Sequence, residues 1–314
     1  NRSLVGAPLI AVVGPTGSGK SDLGIRIAHA IKARGGNAEI VNADSMQLYR
    51  GMDIGTAKLP VAEREGVAHH MLDVLEVVDE ATAAEYQAQA RPIIEALQRD
   101  GTVPILVGGS MLYVAAVLNT FEFPGHDPQL REELEASLAS HGVGPLLERL
   151  REVDPVAASR VDAANPRRVV RALEVVLHTG QPFAAALPDK TESWQPVLEL
   201  GLNSDRANLL ERLELRVQKM WHLGLLQEVE ALIPAGIRHG KTASRAIGYA
   251  QALAQLDGAL TEVEAMAETQ RLTARYARRQ MSWFRRDERI QWFDYQDSTT
   301  SAQAIARALH WIDQ

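Results

Sequence analysis

Hydrophobic positions alternate between two spacings along the first 110 residues. Leu9–Val13 is an unbroken apolar run ending at Gly14, which reads as a buried strand. Asp22–Ala33 places its apolar residues at helical spacing and stops at Gly35-Gly36. Glu39–Ala43 is a second short strand, Ala81–Arg99 a helix containing Pro92, and Val103–Val107 a third strand ending at Gly108-Gly109. This βαβ rhythm predicts an α/β core, with a parallel sheet and flanking helices.

The pattern then changes. Phe121-Glu-Phe-Pro-Gly125 is a breaker cluster and marks a boundary. From Asp127 to about Gly180 the spacing is helical throughout. Asn165-Pro166 reads as a helix start, with Asn as cap, Pro in the first turn, and a run to His178 before Gly180. Val197–Leu202 returns to strand character. From Asp205 the chain is helical almost to its end, apart from Trp292–Tyr295. The layout expected is a core of residues 1–120 and 196–314, with an all-helical insertion domain at 121–195.

Composition narrows this little. The chain has 314 residues, 46% hydrophobic and 23% charged, enough for one large or two modest domains. No run reaches the roughly 18 apolar residues of a membrane span, and the N-terminus lacks a signal-peptide pattern, so a cytoplasmic location without membrane attachment is expected. With no cysteine, disulfides and thiolate zinc sites are excluded. A net charge of −7 argues against a general polyanion binder and sends the search to local basic clusters.

The strongest chemical signal is Gly14-Pro15-Thr16-Gly17-Ser18-Gly19-Lys20-Ser21, a match to G-x-x-x-x-G-K-[ST] between a strand and a helix. Such a loop points backbone N–H groups at a phosphate, Lys20 adds positive charge, and the Ser21 hydroxyl suits a Mg²⁺ shell. ATP-hydrolysing relatives of this loop place an acid at a strand end to hold Mg²⁺. Here Ile105-Leu-Val107 runs into Gly108-Gly109-Ser110 with no acid, and Asp44 is the other acidic candidate. Asp44 and Ser110 both follow strands, where side chains enter the cleft of an open α/β sheet. Asp44 reads either as a proton acceptor or as a cap of its own turn. Ser110 reads either as an orienting hydroxyl or as a helix cap. Adjacent His69-His70 diverge in direction and lack a partner, which disfavours a metal pair.

Five segments, in order along the chain, together resemble the tRNA dimethylallyltransferases. They are Asp44-Ser-Met-Gln-Leu-Tyr-Arg-Gly-Met-Asp-Ile-Gly-Thr-Ala-Lys58, Gly108-Gly-Ser-Met-Leu-Tyr113, Asn165-Pro-Arg-Arg-Val-Val-Arg-Ala-Leu-Glu-Val175, Ser244-Arg-Ala-Ile-Gly-Tyr249 and Arg278-Arg-Gln-Met-Ser-Trp-Phe-Arg285. With the phosphate loop, the resemblance spans residues 14 to 285. It implies that the loop grips the diphosphate of dimethylallyl diphosphate rather than ATP, which explains the missing acid. It implies that Asp44 is the general base for N6 of the adenine 3′ to the anticodon, with Ser110 and Arg216 also catalytic and Mg²⁺ on the diphosphate. Ser110 stands where the family usually has Thr, keeping the hydroxyl; Gly17 stands where Ala is common. A histidine segment like His69-His70 has a structural or substrate-lining role.

The resemblance further implies tRNA contacts from Asp44, Ser45, Met46, Gln47, Ser110, Arg131, Arg167, Arg168, Arg171, Arg245, Gly248, Tyr249, Arg278, Arg279, Gln280, Trp283 and Arg285. The residues agree in character. Arg275, Arg278, Arg279, Arg285, Arg286 and Arg289 crowd one stretch, with Trp283 and Phe284 interleaved, and Arg275, Arg278, Arg279 and Arg286 fall near one helical face. Arg167, Arg168 and Arg171 form a second group, and two such groups on separate modules suit the clamping of an anticodon arm whose adenine is flipped out. Arg212 and Arg216 lie four apart on one helical face. Three other readings share some of these parts. A transferase prenylating free AMP needs neither the helical insertion nor the arginine-rich helix. A P-loop NTPase or kinase lacks its acid here, and a non-catalytic RNA-binding module has no use for an intact phosphate loop. A monomer of bacterial type is expected, since relatives with a C-terminal zinc finger need cysteine.

Overall fold

Continuous apolar runs become strands buried on both faces, and a parallel sheet with helices packed on it is the arrangement that buries them. The computed structural model describes residues 6–120, 123, 125–183 and 192–314. In chain order the elements are β1 (Leu9–Val13), α1 (Lys20–Ala33), β2 (Asn37–Asn42), β3 (His69–His70), α2 (Ala83–Arg99), β4 (Thr102–Val107) and α3 (Met111–Leu118). Then come α4 (Pro128–His141), α5 (Gly144–Val153), α6 (Pro155–Arg160) and α7 (Pro166–Thr179). The chain continues with β5 (Val197–Asn203), α8 (Arg206–Leu223), α9 (Leu225–Leu232), α10 (Tyr249–Leu256), α11 (Glu262–Phe284), β6 (Ile290–Asp294) and α12 (Thr300–Ile312).

The chain divides into two units, Asn1–Leu118 with Gln195–Gln314, and Asn119–Trp194. In the first, six strands pair in the order β3-β2-β4-β1-β5-β6. Every pairing is parallel, with Ile10 opposite Ile105 and Ile40 also opposite Ile105. Ile10, Ile27, Ile105 and Leu200 are fully buried between the sheet and its helices. A second cluster, around Tyr49, Met52, Leu225 and Tyr249, packs α8, α9 and α10 against the loop that follows β2.

Sequence periodicity missed β3, because two residues give no pattern; His69 and His70 join the sheet through Ile40 and Val41. The final strand is Ile290–Asp294 rather than Trp292–Tyr295, drawn earlier by its pairing with Glu199–Asn203. α2 begins at Ala83 because the Thr82 hydroxyl accepts a hydrogen bond from Glu85 N at 3.2 Å.

The second unit is helical among its described residues. Of the breaker cluster, Phe121, Glu122 and Pro124 lie outside the described residues. Asn119 bridges to Ser193, and Thr120 N donates to Glu192 O at 2.9 Å, so the unit closes on itself two residues ahead of 121. α7 starts at Pro166 and stops at Gly180 in the left-handed conformation. Asn165 occupies the cap position, but its side chain makes no capping bond.

Glu174 organises this unit. Its side chain is fully buried, yet Arg131 Nη1, Arg171 Nη1 and His126 Nδ1 reach its carboxylate at 3.3, 2.9 and 2.7 Å. Burial alone raises a carboxyl pKa, but hydrogen bonds from Arg171 and His126 and the charge of Arg131 outweigh it and hold Glu174 below its usual value. The stabilisation is therefore present above the ordinary carboxylate range and is lost as pH falls through the lowered value. Glu174→Gln keeps the shape and removes the charge; urea unfolding at pH 7 is expected to show a loss on the order of 2 kcal/mol. An unchanged midpoint would mean that water serves Arg131 and Arg171 equally well.

Candidate active site

Loops that follow neighbouring parallel strands emerge at one edge of the sheet. Here they follow β1, β2 and β4, and backbone bonds tie them together. Gly108 N donates to Val12 O at 3.1 Å, Ala43 N to Val107 O at 2.8 Å, and Ser110 N to Ala43 O at 3.3 Å. Residues 14–21 wrap from β1 into α1, with Gly19 capping that helix at φ 87°, a left-handed conformation that suits glycine. Ser18 Oγ donates to Pro15 O at 2.7 Å, and Lys20 Nζ donates to the same carbonyl at 2.8 Å, which folds the loop over its own lysine.

A cavity of about 340 Å³ opens at this edge. Thr16, Gly17, Gly19, Lys20 and Ser21 line one side, Asp44 and Gln47 another, with Arg212, Arg216, Tyr276 and Gln280 reaching in from α8 and α11. Ile40, Leu59, Leu72 and Val107 supply apolar wall. His69 also lines it; its Nδ1 donates to Val67 O at 2.8 Å, and burial lowers its pKa, which favours the neutral ring. His70 turns instead toward Glu39, 3.6 Å away, so the pair diverges across the strand. No group of three or more metal-ligating His, Cys, Asp or Glu side chains occurs among the described residues.

Charge in the cavity is poorly solvated by its protein walls. Burial first, then the Arg216 charge, lower Lys20 to about 7, against the pull of Asp44. Burial raises Asp44, opposed by the Met46 amide and by Lys20 and Arg216. Burial also lowers Arg216, with Asp44 opposing. Two cationic side chains beside one carboxyl, all pushed toward neutrality, form a site that gains from an incoming anion.

Asp44 Oδ1 accepts from Met46 N at 3.0 Å, which caps its own turn, and the residue lines the cavity. That turn leads into a short 3₁₀ segment, Met46–Leu48, with Gln47 Nε2 donating to Thr56 O at 3.0 Å. Ser110 is not the cap of α3 by its side chain. Its Oγ accepts from Ser45 N at 2.8 Å and lies 3.2 Å from Ser45 Oγ, tying the β4 loop to the Asp44 turn.

Of the residues expected to meet tRNA, Arg167, Arg168, Arg245, Arg278, Arg279, Arg285 and Trp283 are exposed. Arg131 and Arg171 are engaged with Glu174. Three are internal. Gly248 is buried. Tyr249 is fully buried, its hydroxyl donating to Glu228 Oε2 at 2.6 Å. Gln280 is 2% exposed, with both ends of its amide bonded to protein. α11 ends at Phe284, so Arg286 lies beyond the helical face assigned to it, and Phe284 is core.

Sequence reasoning missed Tyr276, which lines the cavity and carries the Arg279 guanidinium 5.6 Å from its ring centre. Its spacing of four from Gln280 on one helix was the available signal. It missed Glu228 too, whose carboxylate accepts from Asp53 N and Ile54 N at 3.1 and 2.9 Å and so anchors the loop after Gln47.

The family model for IPP transferase matches residues 47–287, most of the chain and all of the helices that build this cavity after β2. The chain belongs to the IPP transferase family. It is 54% identical over 297 residues to a tRNA dimethylallyltransferase of Salinispora arenicola (strain CNS-205), covering 95% of this chain and 85% of that one. It is 58% identical over 280 residues to another of Clavibacter sepedonicus, covering 89% and 91%. Among solved structures it is similar to the tRNA isopentenylpyrophosphate transferase of Bacillus halodurans, at 35% identity and a TM-score of 0.69, over 98% of this chain and 100% of that one. It also resembles a eukaryotic dimethylallyltransferase acting on tRNA, at 27% identity and a TM-score of 0.83, over 98% and 80%.

The lowered Lys20 gives a sign. Its cationic form binds an anion, and that form is lost in the free protein as pH rises past about 7. The affinity for inorganic diphosphate, corrected for the ligand's own ionisation, is expected to fall by up to about tenfold per pH unit above that point. Constant affinity to pH 9 would show that Lys20 stays charged without ligand.

Proposed function

We propose that the chain transfers the dimethylallyl group of dimethylallyl diphosphate to N6 of the adenine 3′ to the anticodon in tRNA, releasing diphosphate. The observation that carries this reading is the shared cavity. An anion loop with Lys20 and Arg216 shares the cavity with the buried carboxyl of Asp44, while Asp22, the other lining carboxyl, is paired with Arg26.

The chemistry follows from those parts. The bond between the allyl carbon and the diphosphate oxygen breaks, and its electron pair leaves on that oxygen. The N6 lone pair forms the new carbon–nitrogen bond. The N6 proton passes to the Asp44 carboxylate, whose raised pKa makes it a better acceptor than an exposed aspartate. Backbone N–H groups of the loop, Lys20 and Arg216 stabilise charge on the leaving oxygens. Ser21 lines the cavity with a hydroxyl that no described residue occupies. One neutral oxygen beside a diphosphate suits Mg²⁺, which keeps most of its waters and takes the rest of its shell from phosphate. When bound, Mg²⁺ would add Lewis-acid stabilisation to the leaving group.

The exposed Arg278, Arg279, Arg285 and Trp283 form the surface we assign to the RNA, with Arg167, Arg168 and Arg245 as further phosphate contacts. Transfer of label from dimethylallyl diphosphate with Mg²⁺ to an anticodon stem-loop tests the whole reading, with AMP and ATP-only controls. Label on AMP alone would make the acceptor a free nucleotide; phosphate release from ATP without prenyl transfer would make this an NTPase. Asp44→Asn is expected to lower kcat by about 10²–10⁴-fold while inorganic diphosphate still binds. Full activity in that variant would remove Asp44 as the base. Replacing Arg278 and Arg279 together by Ala is expected to weaken stem-loop binding and flatten its dependence on log salt by about 0.7 per lost phosphate contact. A variant with the original slope would place the RNA elsewhere.

A further inference from the structure

One helix, α11, presents two different faces. Arg278 and Arg279 are exposed, while Tyr276 and Gln280, one turn apart, reach inward to the cavity. Gln280 joins two loops far apart in sequence. Its Oε1 accepts from Thr16 N at 3.0 Å, and its Nε2 donates to Gly109 O at 2.8 Å. A backbone N–H only donates and a carbonyl only accepts, so these partners fix which way the amide points. The approach is close: a Cβ on Gly109 would lie 2.6 Å from Gln280 Nε2 and 2.6 Å from Gly14 O, so glycine is required there. In the second loop, next to Gly109, Ser110 Oγ holds Ser45 N.

We propose that Gln280 is a positioning residue for the transfer, a brace that holds the anion loop and the Gly108–Ser110 loop at one separation. The first loop places the allyl carbon; the second, through Ser110 and Ser45, places the turn that carries Asp44. The brace rests on the reading of function above. It replaces the assignment of Gln280 as an RNA contact. Within the two loops, Gly109 has no side chain and the Ser18 hydroxyl is bonded inside its own loop.

Gln280→Glu tests this with a pH profile. An ionised glutamate still accepts from Thr16 N but cannot donate to Gly109 O, and it sets two acceptors against each other. A protonated glutamate restores both bonds. At pH 8 the variant is expected to lose at least about tenfold in kcat, as small misplacements in aligned sites do. Its affinities for inorganic diphosphate and for the stem-loop should stay within about threefold. The ratio of variant to unsubstituted rate should rise as pH falls from 8 to 6, because burial favours the protonated carboxyl; taking the ratio cancels the titration of Asp44. Gln280→Met, which fills the space and makes neither bond, should lose kcat to a similar extent with no recovery at low pH. It decides the matter alone if the glutamate variant does not fold. Unchanged kcat in either folded variant, a flat ratio, or a loss confined to stem-loop affinity overturns the brace. Absence of any transfer by the unsubstituted chain instead removes the function on which the brace rests, and the brace with it.

Discussion

The site depends on three backbone hydrogen bonds at the carboxyl ends of adjacent strands. Gly108 N to Val12 O, Ala43 N to Val107 O and Ser110 N to Ala43 O join the ends of β1, β4 and β2 into one rim. None involves a side chain, so parallel register places the strand ends, and the side-chain bonds of Gln280 and Ser110 then tie the loops that leave them. Slipping a strand by one residue would flip its side chains to the other face of the sheet. The full burial of Ile10, Ile105 and Val41 makes such a slip costly, so core packing fixes the rim.

Charge then works against that rigid frame. Lys20, Arg216 and Asp44 share protein walls that solvate none of them well, and each is pushed toward its neutral form. On the proposed reading, a diphosphate would supply the negative charge that the two cations lack. Such a group would restore the protonation that its binding needs, at donors oriented before it arrives. An acid after β4 would spoil this balance by neutralising Lys20 from within; in its place stand Gly108 and Gly109, which let β4, the anion loop and α11 approach closely.

What the sequence made legible was local. The apolar run of β1, the phosphate loop and the helical spacing of α7 each depend on a few consecutive residues and were readable within a turn or so, whereas α8 to α11 were legible only as one helical stretch from Asp205. β3 escaped because two residues carry no period; only its pairing with Ile40 and Val41 makes it a strand. The turn cap at Asp44 was legible as one of two readings, and the bond from Met46 N bears that reading out. Glu228 was invisible for the opposite reason: its partners Asp53, Ile54 and Gly55 lie more than 170 residues away.

α11 shows most clearly what a motif match leaves open. Residues Arg278 to Arg285 match as a block, which invites one role for all of them. A helix divides such a block by direction, because neighbours in sequence stand about 100° apart around its axis. Arg278 and Arg279 face water, while Gln280, Met281 and Phe284 face the core. The division has a physical advantage. Arginines on the outer face need only a polyanion within reach, and loose placement suffices for that. The inner face must hold Thr16 N and Gly109 O to hydrogen-bonding distance, which demands a short, buried, neutral side chain with a donor and an acceptor in one plane. An amide meets that requirement without titrating between a neutral and a charged form as an imidazole does, and glutamine has the extra methylene to span from the helix to both loops.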